Sequence, residues 1–192
     1  MNTQVNVQHV ETLADDWYVL KKTTFEYQRR DGRWQTMSRE TYDRGNGATL
    51  LLYNTDERKV VLTRQFRFPT YVNGNADGRL IETAAGLLDD AEPADRIRLE
   101  VEEETGYVIG NVTPIFNAYM SPGSVTERVY FFVAEYQSTD KQSAGGGNLE
   151  EGEDIEVLEI SFDKALAMIA SGEICDGKTI MLLQYAAINI YN

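Results

Sequence analysis

The chain of 192 residues has a single Cys, a single His and four Pro, and it carries 18 Lys and Arg against 31 Asp and Glu. The lone Cys175 excludes an internal disulfide, which is typical of proteins from a reducing compartment. The net charge of −13 argues against a nucleic-acid partner and against an anionic membrane surface. Since His9 is the only histidine and lies in the polar N-terminal segment, we do not expect a histidine base.

Long hydrophobic runs are also missing. No apolar stretch approaches the roughly 20 residues that span a bilayer, and the N-terminus lacks the apolar core of a signal peptide. We therefore expect a soluble, cytoplasmic protein with no membrane partner. A hydrophobic share of 42% predicts a folded chain, long enough for one medium domain plus an appendage.

The pattern along the chain predicts short strands with interleaved helices, which favours a mixed α/β fold. Residues 1–16 are mostly polar and indicate no regular element. Asp31-Gly32 predicts a hairpin, and the glycines at 45 and 47 divide an N-terminal β domain, 1–44, from a main domain, 45–192. The predicted strands are 17–28, 33–42, 48–53, 60–68, 79–84, 112–119, 128–136 and 155–161, and the predicted helices are 93–105, 161–170 and 178–191.

Residues 84–108, AAGLLDDAEPADRIRLEVEEETGYV, are the most informative stretch. A glycine turn leads into a helix that begins at Pro93 and is capped by Gly106. Glu100 and Glu104 have i,i+4 spacing, so both carboxylates leave the helix on one face. Such a like-charge pair costs an isolated helix about 0.2–0.5 kcal/mol, and the helix dipole also opposes it. A bound divalent cation would turn this repulsion into attraction.

This stretch resembles the Nudix box, the loop-helix motif of hydrolases that cut nucleoside diphosphates linked to another moiety. The spacing from Gly86 to Glu100 is one residue shorter than in the family pattern, which places Glu92 one position off the first glutamate. The usual arginine, which helps to orient the glutamates, is Leu99 here, with Arg98 beside it. The matching residues are Gly86, Glu100, Val101, Glu103, Glu104, Gly106 and Tyr107.

Three further features narrow the resemblance to the GDP-mannose pyrophosphatase branch of the family. They are the Arg-Gln-Phe-Arg run 64–67, Ser-Pro-Gly at 121–123, and the triple glycine 145–147 with its acidic loop. The resemblance implies a mixed-sheet α/β/α sandwich with an N-terminal β-hairpin appendage. It also implies hydrolysis of a nucleoside diphosphate sugar to a nucleoside monophosphate and a sugar 1-phosphate, with Mg²⁺ or Mn²⁺ as cofactor.

The resemblance also implies a metal site and a general base. Mg²⁺ prefers oxygen ligands and usually keeps waters and substrate phosphates in its shell. An acidic-loop glutamate reaches the metals in relatives. Counting back from the next strand assigns Glu153, while Glu151 and Glu127 stay open as alternative bases. The implied metal ligands are Ala85 through its carbonyl, Glu100, Glu103, Glu104 and Glu153, and the implied catalytic residues are Glu153, Glu127 and Glu104.

Substrate contacts follow from the same resemblance. Arg67 suits a diphosphate because its guanidinium binds bidentately, although a surface salt bridge is the competing interpretation. Trp17 would stack on the base or anchor a core. The implied homodimer exchanges its hairpins, so the hairpin residues would serve the partner's substrate. The implied substrate-binding residues are Trp17, Arg39, Glu40, Arg67, Ala85, Gly86, Glu104, Glu127 and Lys178.

Other functions stay open at this point. An ADP-ribose or ADP-sugar pyrophosphatase is the alternative within the enzyme class. A Nudix-like sensor that binds a nucleotide sugar without cutting it is favoured by Leu99 and the shortened spacing, and an acidic metal-binding module needs no nucleotide. The three glycines at 145–147 predict a mobile segment that brings Glu153 to the metals only when metal and substrate are bound.

Overall fold

The computed structural model describes residues 4–192, with the backbone alone at Glu151. Internal contacts divide the chain into two compact units. The N-terminal unit contains the chain up to Asn46 together with Tyr119–Arg128, and the large unit contains Gly47–Ala118 and Val129–Asn192.

The N-terminal unit is built on an antiparallel sheet of three strands, β1 (Val5–Asp15), β2 (Val19–Gln28) and β3 (Trp34–Asp43), in that order. The predicted hairpin is confirmed as β2 and β3. Strand β1 was not predicted, because all of its residues are exposed and no buried face gives it a clear alternation. The segment Tyr119–Arg128 joins β3 through two backbone bonds, since Tyr42 donates to Ser124 at 2.8 Å and Thr126 donates to Tyr42 at 3.1 Å.

The large unit contains a sheet of seven strands in the order β10-β5-β4-β9-β8, with β6 paired to β5 and β7 paired to β4. The β4–β9 pair is parallel, and β4 is antiparallel to both β5 and β7, so the sheet is mixed. The strands are β4 (Gly47–Asn54), β5 (Lys59–Phe66), β6 (Arg79–Glu82), β7 (Ala84–Leu87), β8 (Thr113–Tyr119), β9 (Arg128–Glu135) and β10 (Glu156–Ser161).

Four helices complete the fold: α1 (Phe68–Val72), α2 (Pro93–Thr105), α3 (Phe162–Ser171) and α4 (Gly177–Asn189). Short 3₁₀ turns cover Ser138–Asp140 and Leu149–Glu151. The predicted capping glycine is confirmed at Gly106, whose φ of 78° places it in the left-handed region. Ser161 caps α3, since its hydroxyl accepts the amide of Lys164. No helix within residues 4–192 combines the length and the apolar character needed to cross a membrane.

Helices cover both faces of the central strands. On one face, Leu50 and Phe132 pack with Ile97 and Val101 of α2 in a single buried cluster. On the other face, the adjacent residue Thr49 bonds to Thr83, and the Thr83 amide donates to the Thr179 hydroxyl of α4 at 2.7 Å. Because neighbouring residues of a strand point to opposite faces, α2 and α4 lie on opposite sides of the sheet. The predicted α/β/α sandwich is confirmed.

Candidate active site

The glycine of the box lies directly against the first glutamate of the box helix. Gly86 pairs with Ala48 of β4, and a Cβ added to it would lie 2.1 Å from Oε1 of Glu100. The glycine is therefore needed for space. Ala85, the predicted carbonyl ligand, pairs with Thr49 in the same strand, so the central sheet fixes its backbone beside Gly86.

Arg96 holds Glu100 in this position. Its Nη2 lies 2.5 Å from Oε1 of Glu100, and its Nε donates to the carbonyl of Leu87 at 3.0 Å. Arg96 thus connects the box helix to the glycine turn, so it is placed to orient Glu100, as the missing arginine at Leu99 would do in the family pattern. Leu99 itself is 58% exposed, and Arg98 pairs with Asp95. The i,i+4 spacing of Arg96 and Glu100 is the signal that could have identified it.

Glu104 lies one turn further along α2 and is only 1% exposed. Its Oε2 has no hydrogen-bond partner among the described residues. Burial raises the pKa of Glu104 well above its usual range, and the neighbouring charges of Glu100 and Glu153 raise it further, while Arg67 acts in the opposite direction. A buried carboxylate oxygen without a donor is costly in a folded protein and calls for a ligand.

These residues fit a divalent cation that has few protein ligands. Within residues 4–192, leaving aside the side chain of Glu151, no three acidic, His or Cys side chains converge into a ready-made cage. Mg²⁺ is commonly bound by one or two carboxylates with waters and substrate phosphates, so two glutamates and one carbonyl suffice. Glu103, the other predicted ligand on α2, is exposed.

The triple glycine is hydrogen-bonded to the end of the box helix, and the movement of Glu153 on binding stays a prediction. The amides of Gly146 and Gly147 donate to the carbonyls of Glu104 and Glu103, at 2.9 and 3.2 Å. A Cβ on Gly145 would lie 2.5 Å from the carbonyl oxygen of Glu104. All three glycines have positive φ, at 68, 118 and 73°, so the turn needs glycine for both conformation and space.

This docked turn fixes the start of the acidic loop that carries Glu153. Its Oε2 accepts a hydrogen bond from the amide of Asn148 at 2.9 Å. A Cβ added to Gly147 would lie 2.4 Å from the same oxygen. Glu153 is also close enough to influence the pKa of Glu104. Glu150 is exposed, as expected for a solvated loop residue. The side chain of Glu151, the alternative base, lies outside the described part of the chain.

A second charged cluster lies in the same unit. Glu82 is 3% exposed, and its Oε2 accepts from Nε of Arg67 at 2.7 Å while its Oε1 accepts from Nζ of Lys178. Asp176, the N-cap of α4, lies 3.1 Å from Nζ of Lys178. The structure thus brings together the two predicted phosphate ligands. The sequence analysis missed Glu82, which has only its place after two buried apolar residues of β6 to identify it.

The remaining predicted residues belong to the N-terminal unit. Trp17 is 83% exposed, and its ring stacks on that of Tyr18 with 5.5 Å between the ring centroids. Because it is exposed, Trp17 does not anchor a core within this chain. Arg39 and Glu40 line an open groove of about 590 Å³ with residues of the 119–128 segment. Glu127 is paired with Arg44 at 3.5 Å. The structure therefore groups Trp17, Arg39, Glu40 and Glu127 in one unit and Arg67, Ala85, Gly86, Glu100, Glu103, Glu104, Glu153 and Lys178 in the other.

Comparison with known proteins agrees with this architecture. Residues 43–181 match the model of the NUDIX domain, and residues 4–42 match that of the GDP-mannose pyrophosphatase NudK N-terminal domain. A solved structure described as an ADP compounds hydrolase superposes with a TM-score of 0.70 at 14% identity, covering 98% of this chain and 97% of that one. That likeness supports the fold alone.

Curated relatives are similar over almost the whole length. The GDP-mannose pyrophosphatase of Pectobacterium atrosepticum is 54% identical over 188 residues, which cover 98% of this chain and 96% of the relative. The enzyme of the same name from Salmonella typhimurium is 53% identical over 185 residues, covering 96% of each chain. Nudix pyrophosphatases generally need a divalent metal, in agreement with the donors around Glu104. The domain match, the shared fold and these relatives together show that the chain is a pyrophosphatase of the Nudix hydrolase family.

Proposed function

We propose that this Nudix hydrolase cleaves GDP-mannose to GMP and mannose 1-phosphate, with Mg²⁺ as the working cofactor and Mn²⁺ as a substitute. Relatives named GDP-mannose pyrophosphatase, 53–54% identical over nearly the whole chain, support the choice of substrate. Hard oxygen donors support the choice of Mg²⁺.

The proposal rests mainly on one observation, which is that the acidic cluster around Glu104 lies near the basic cluster of Arg67 and Lys178. Buried Glu104 has an oxygen without a donor, and its pKa responds to the charges of Arg67 and Glu82. A place for a cation therefore adjoins the cations Arg67 and Lys178. A diphosphate bound to a divalent metal carries both charge signs that this arrangement requires.

The metal would be held by Glu100, Glu104 and the carbonyl of Ala85, with Glu103 and Glu153 as further ligands. When bound, it acts as a Lewis acid and lowers the pKa of water. Arg67 and Lys178 bind the diphosphate oxygens, and Gly86 leaves the space in which Glu100 lies. Glu153 accepts the proton of the attacking water, with Glu151 and Glu127 as the alternative bases.

The same proposal assigns the N-terminal unit, with its boundary near residue 44, to dimerisation and to substrate recognition in a partner chain. Trp17, Arg39 and Glu40 would contact the nucleotide of the other subunit, and Glu127 would contact sugar or water. The exposure of Trp17, Arg39 and Glu40 and the groove beside Arg39 support this assignment. The cytoplasmic location rests on the single cysteine, and the acidic surface is unsuited to nucleic acid.

Product analysis tests the function. Purified protein with Mg²⁺ is offered GDP-mannose, ADP-ribose, ADP-glucose and NADH, and the products are separated by ion-exchange chromatography. We expect GMP and mannose 1-phosphate, with the highest kcat/KM for GDP-mannose. Preference for ADP-ribose would contradict the substrate, and tight binding of GDP-mannose without products would identify a sensor instead of an enzyme. Calcium in place of Mg²⁺ provides the control for metal-dependent chemistry.

A further inference from the structure

Glu82 occupies an unusual position in the basic cluster. It is 3% exposed and ends strand β6, while its two cationic partners come from different elements. Arg67 lies between β5 and α1, and Lys178 lies in the first turn of α4. Each carboxylate oxygen of Glu82 accepts from one of these cations, so one side chain connects three elements.

The cations keep donors for another partner. Arg67 uses Nε for Glu82, and within the described part of the chain its two terminal nitrogens have no hydrogen-bond partner. Lys178 donates one N–H group of its ammonium to Glu82 and lies beside Asp176, which can accept a second. One of the three N–H groups therefore remains for another partner. The side chain of Arg67 is 40% exposed, so its free end reaches the surface of the cluster.

The charge of the cluster depends on Glu82. Burial lowers the pKa of Lys178 and the charge of Arg67 lowers it further, but the carboxylates of Glu82 and Asp176 outweigh both and raise it above its usual range. In turn, Lys178 and Arg67 overcome the effect of burial and hold the pKa of Glu82 below its usual range. Each charge therefore keeps the others ionised in a place with little water.

We propose that Glu82 is a positioning residue that holds Arg67 and Lys178 side by side as one receptor for the substrate diphosphate. This inference rests on the proposed function, which assigns those two cations to the diphosphate. Without Glu82, the half-exposed guanidinium of Arg67 and the largely buried ammonium of Lys178 would repel each other, and Lys178 would have Asp176 alone to keep its proton. Glu82 then acts on the reaction through the geometry and charge of its two partners, without touching the substrate.

The sign of the effect distinguishes this role from simple stabilisation. In Glu82→Gln, burial and Arg67 should lower the pKa of Lys178, so the lysine loses its charge as the pH rises through that lowered value. Binding of the diphosphate should then weaken with rising pH. In the wild-type protein Lys178 stays charged, so its own contribution to binding stays constant over the same range. A loss of folding stability alone would lower activity at every pH equally.

The experiment measures GDP-mannose binding by calorimetry in EDTA and KM with Mg²⁺, from about pH 6.5 to about pH 8.5, where other lysines stay charged. We expect Glu82→Gln to lose affinity by about tenfold or more across this range relative to wild type, since hydrogen bonds to charged groups have such magnitudes. When Lys178→Arg is added to Glu82→Gln, the affinity for GDP-mannose should again vary little with pH, because arginine keeps its charge. A Glu82→Gln affinity equal to that of wild type across this range would overturn the inference.

Controls separate the possible failures. Glu156→Gln removes one carboxylate from an exposed pair with Arg64, 3.0 Å apart, and should leave the profile unchanged. Should Glu82→Gln fail to fold, Glu82→Asp keeps the charge on a side chain one methylene shorter and should raise KM at every pH. An unchanged KM in that variant would overturn the inference. A wild-type protein that neither binds nor cleaves GDP-mannose would instead refute the proposed function.

Discussion

At the scale of single residues, Glu104 is buried, and its Oε2 has no hydrogen-bond partner among the described residues. Burial and the neighbouring acids raise the pKa of Glu104, so the folded protein binds its proton more tightly than the unfolded chain does. The stability that this proton provides is present at low pH and is lost as the pH rises through the raised pKa. Above the pKa of the unfolded chain, this difference therefore lowers the stability of the metal-free protein, and the loss grows until the pH has passed the raised pKa.

Glu104→Gln should consequently have opposite effects on activity and stability. We expect turnover of GDP-mannose to fall by orders of magnitude, because a charged ligand is lost. We expect a higher Tm in EDTA near neutral pH, because the amide carries no buried charge, with the gain disappearing in acid. Thermal melts across pH and initial rates check both effects. Glu102→Gln, an exposed neighbour on α2, is the control, and equal activity in both variants would contradict the metal site.

Glu153→Gln should lower kcat by about 10²–10⁴-fold, the usual effect of losing a general base, with a smaller change in KM. The amide can still accept the Asn148 hydrogen bond, so the loop should keep its position. Stopped-time assays of Glu153→Gln, Glu151→Gln and Glu127→Gln identify the base. Loss of activity in Glu151→Gln alone would place the base two residues earlier, and an effect in Glu127→Gln alone would place it in the other unit.

Arg96→Ala should weaken metal affinity by about 10–100-fold, as is typical for residues that orient a ligand. Arg96 connects Glu100 to the carbonyl of Leu87, so its loss removes this link between the carboxylate and the glycine turn. Arg98→Ala is the matched control, since that arginine belongs to the same helix and pairs with the exposed Asp95. Calorimetric titration with Mn²⁺ measures the difference, and equal affinities would exclude Arg96 from this role.

At the scale of elements, the triple glycine caps the box helix and so connects Glu153 to Glu104. Gly147→Ala would place a Cβ 2.4 Å from the carboxylate of Glu153, while Gly152→Ala meets nothing within 4 Å. Both glycines have positive φ, 73 and 80°, so both variants share the backbone strain. We expect kcat to fall up to about a hundredfold in Gly147→Ala only, since small misplacements have such effects. Equal rates would refute a positioning role for the turn.

Sequence patterns predicted those elements that have local signals. The box helix has its proline, its capping glycine and its apolar spacing, and the hairpin has Asp31-Gly32, so each could be identified from neighbouring residues. Strand β1 lacks such a signal because it buries no face within the chain. Glu82 was missed for another reason, since its role depends on partners across the fold such as Lys178, which lies 96 residues later. Arg96 does have a local signal, which is its i,i+4 spacing to Glu100.

At the scale of the whole molecule, the proposed exchange of N-terminal units can be tested by mixing variants. Arg39→Ala and Glu104→Gln chains should each be nearly inactive. If a site combines Arg39 of one subunit with Glu104 of the other, unfolding and refolding the two variants together should restore activity in about a quarter of the sites, as random pairing in a twofold dimer requires. Separately refolded variants are the control. No recovery in the mixture would mean that each site is formed by one chain.

The N-terminal unit is formed by two segments that are distant in the sequence, and this affects its folding during translation. Its sheet is complete once residue 43 has been made, but the segment 119–128 that bonds to Tyr42 follows about 80 residues later. At about 5–20 residues per second, a ribosome needs several seconds to supply that segment. During this interval the nascent chain carries the outer strand of its first sheet with unpaired backbone groups. Such an edge can pair with other chains, so this protein should benefit from a chaperone bound early in its translation.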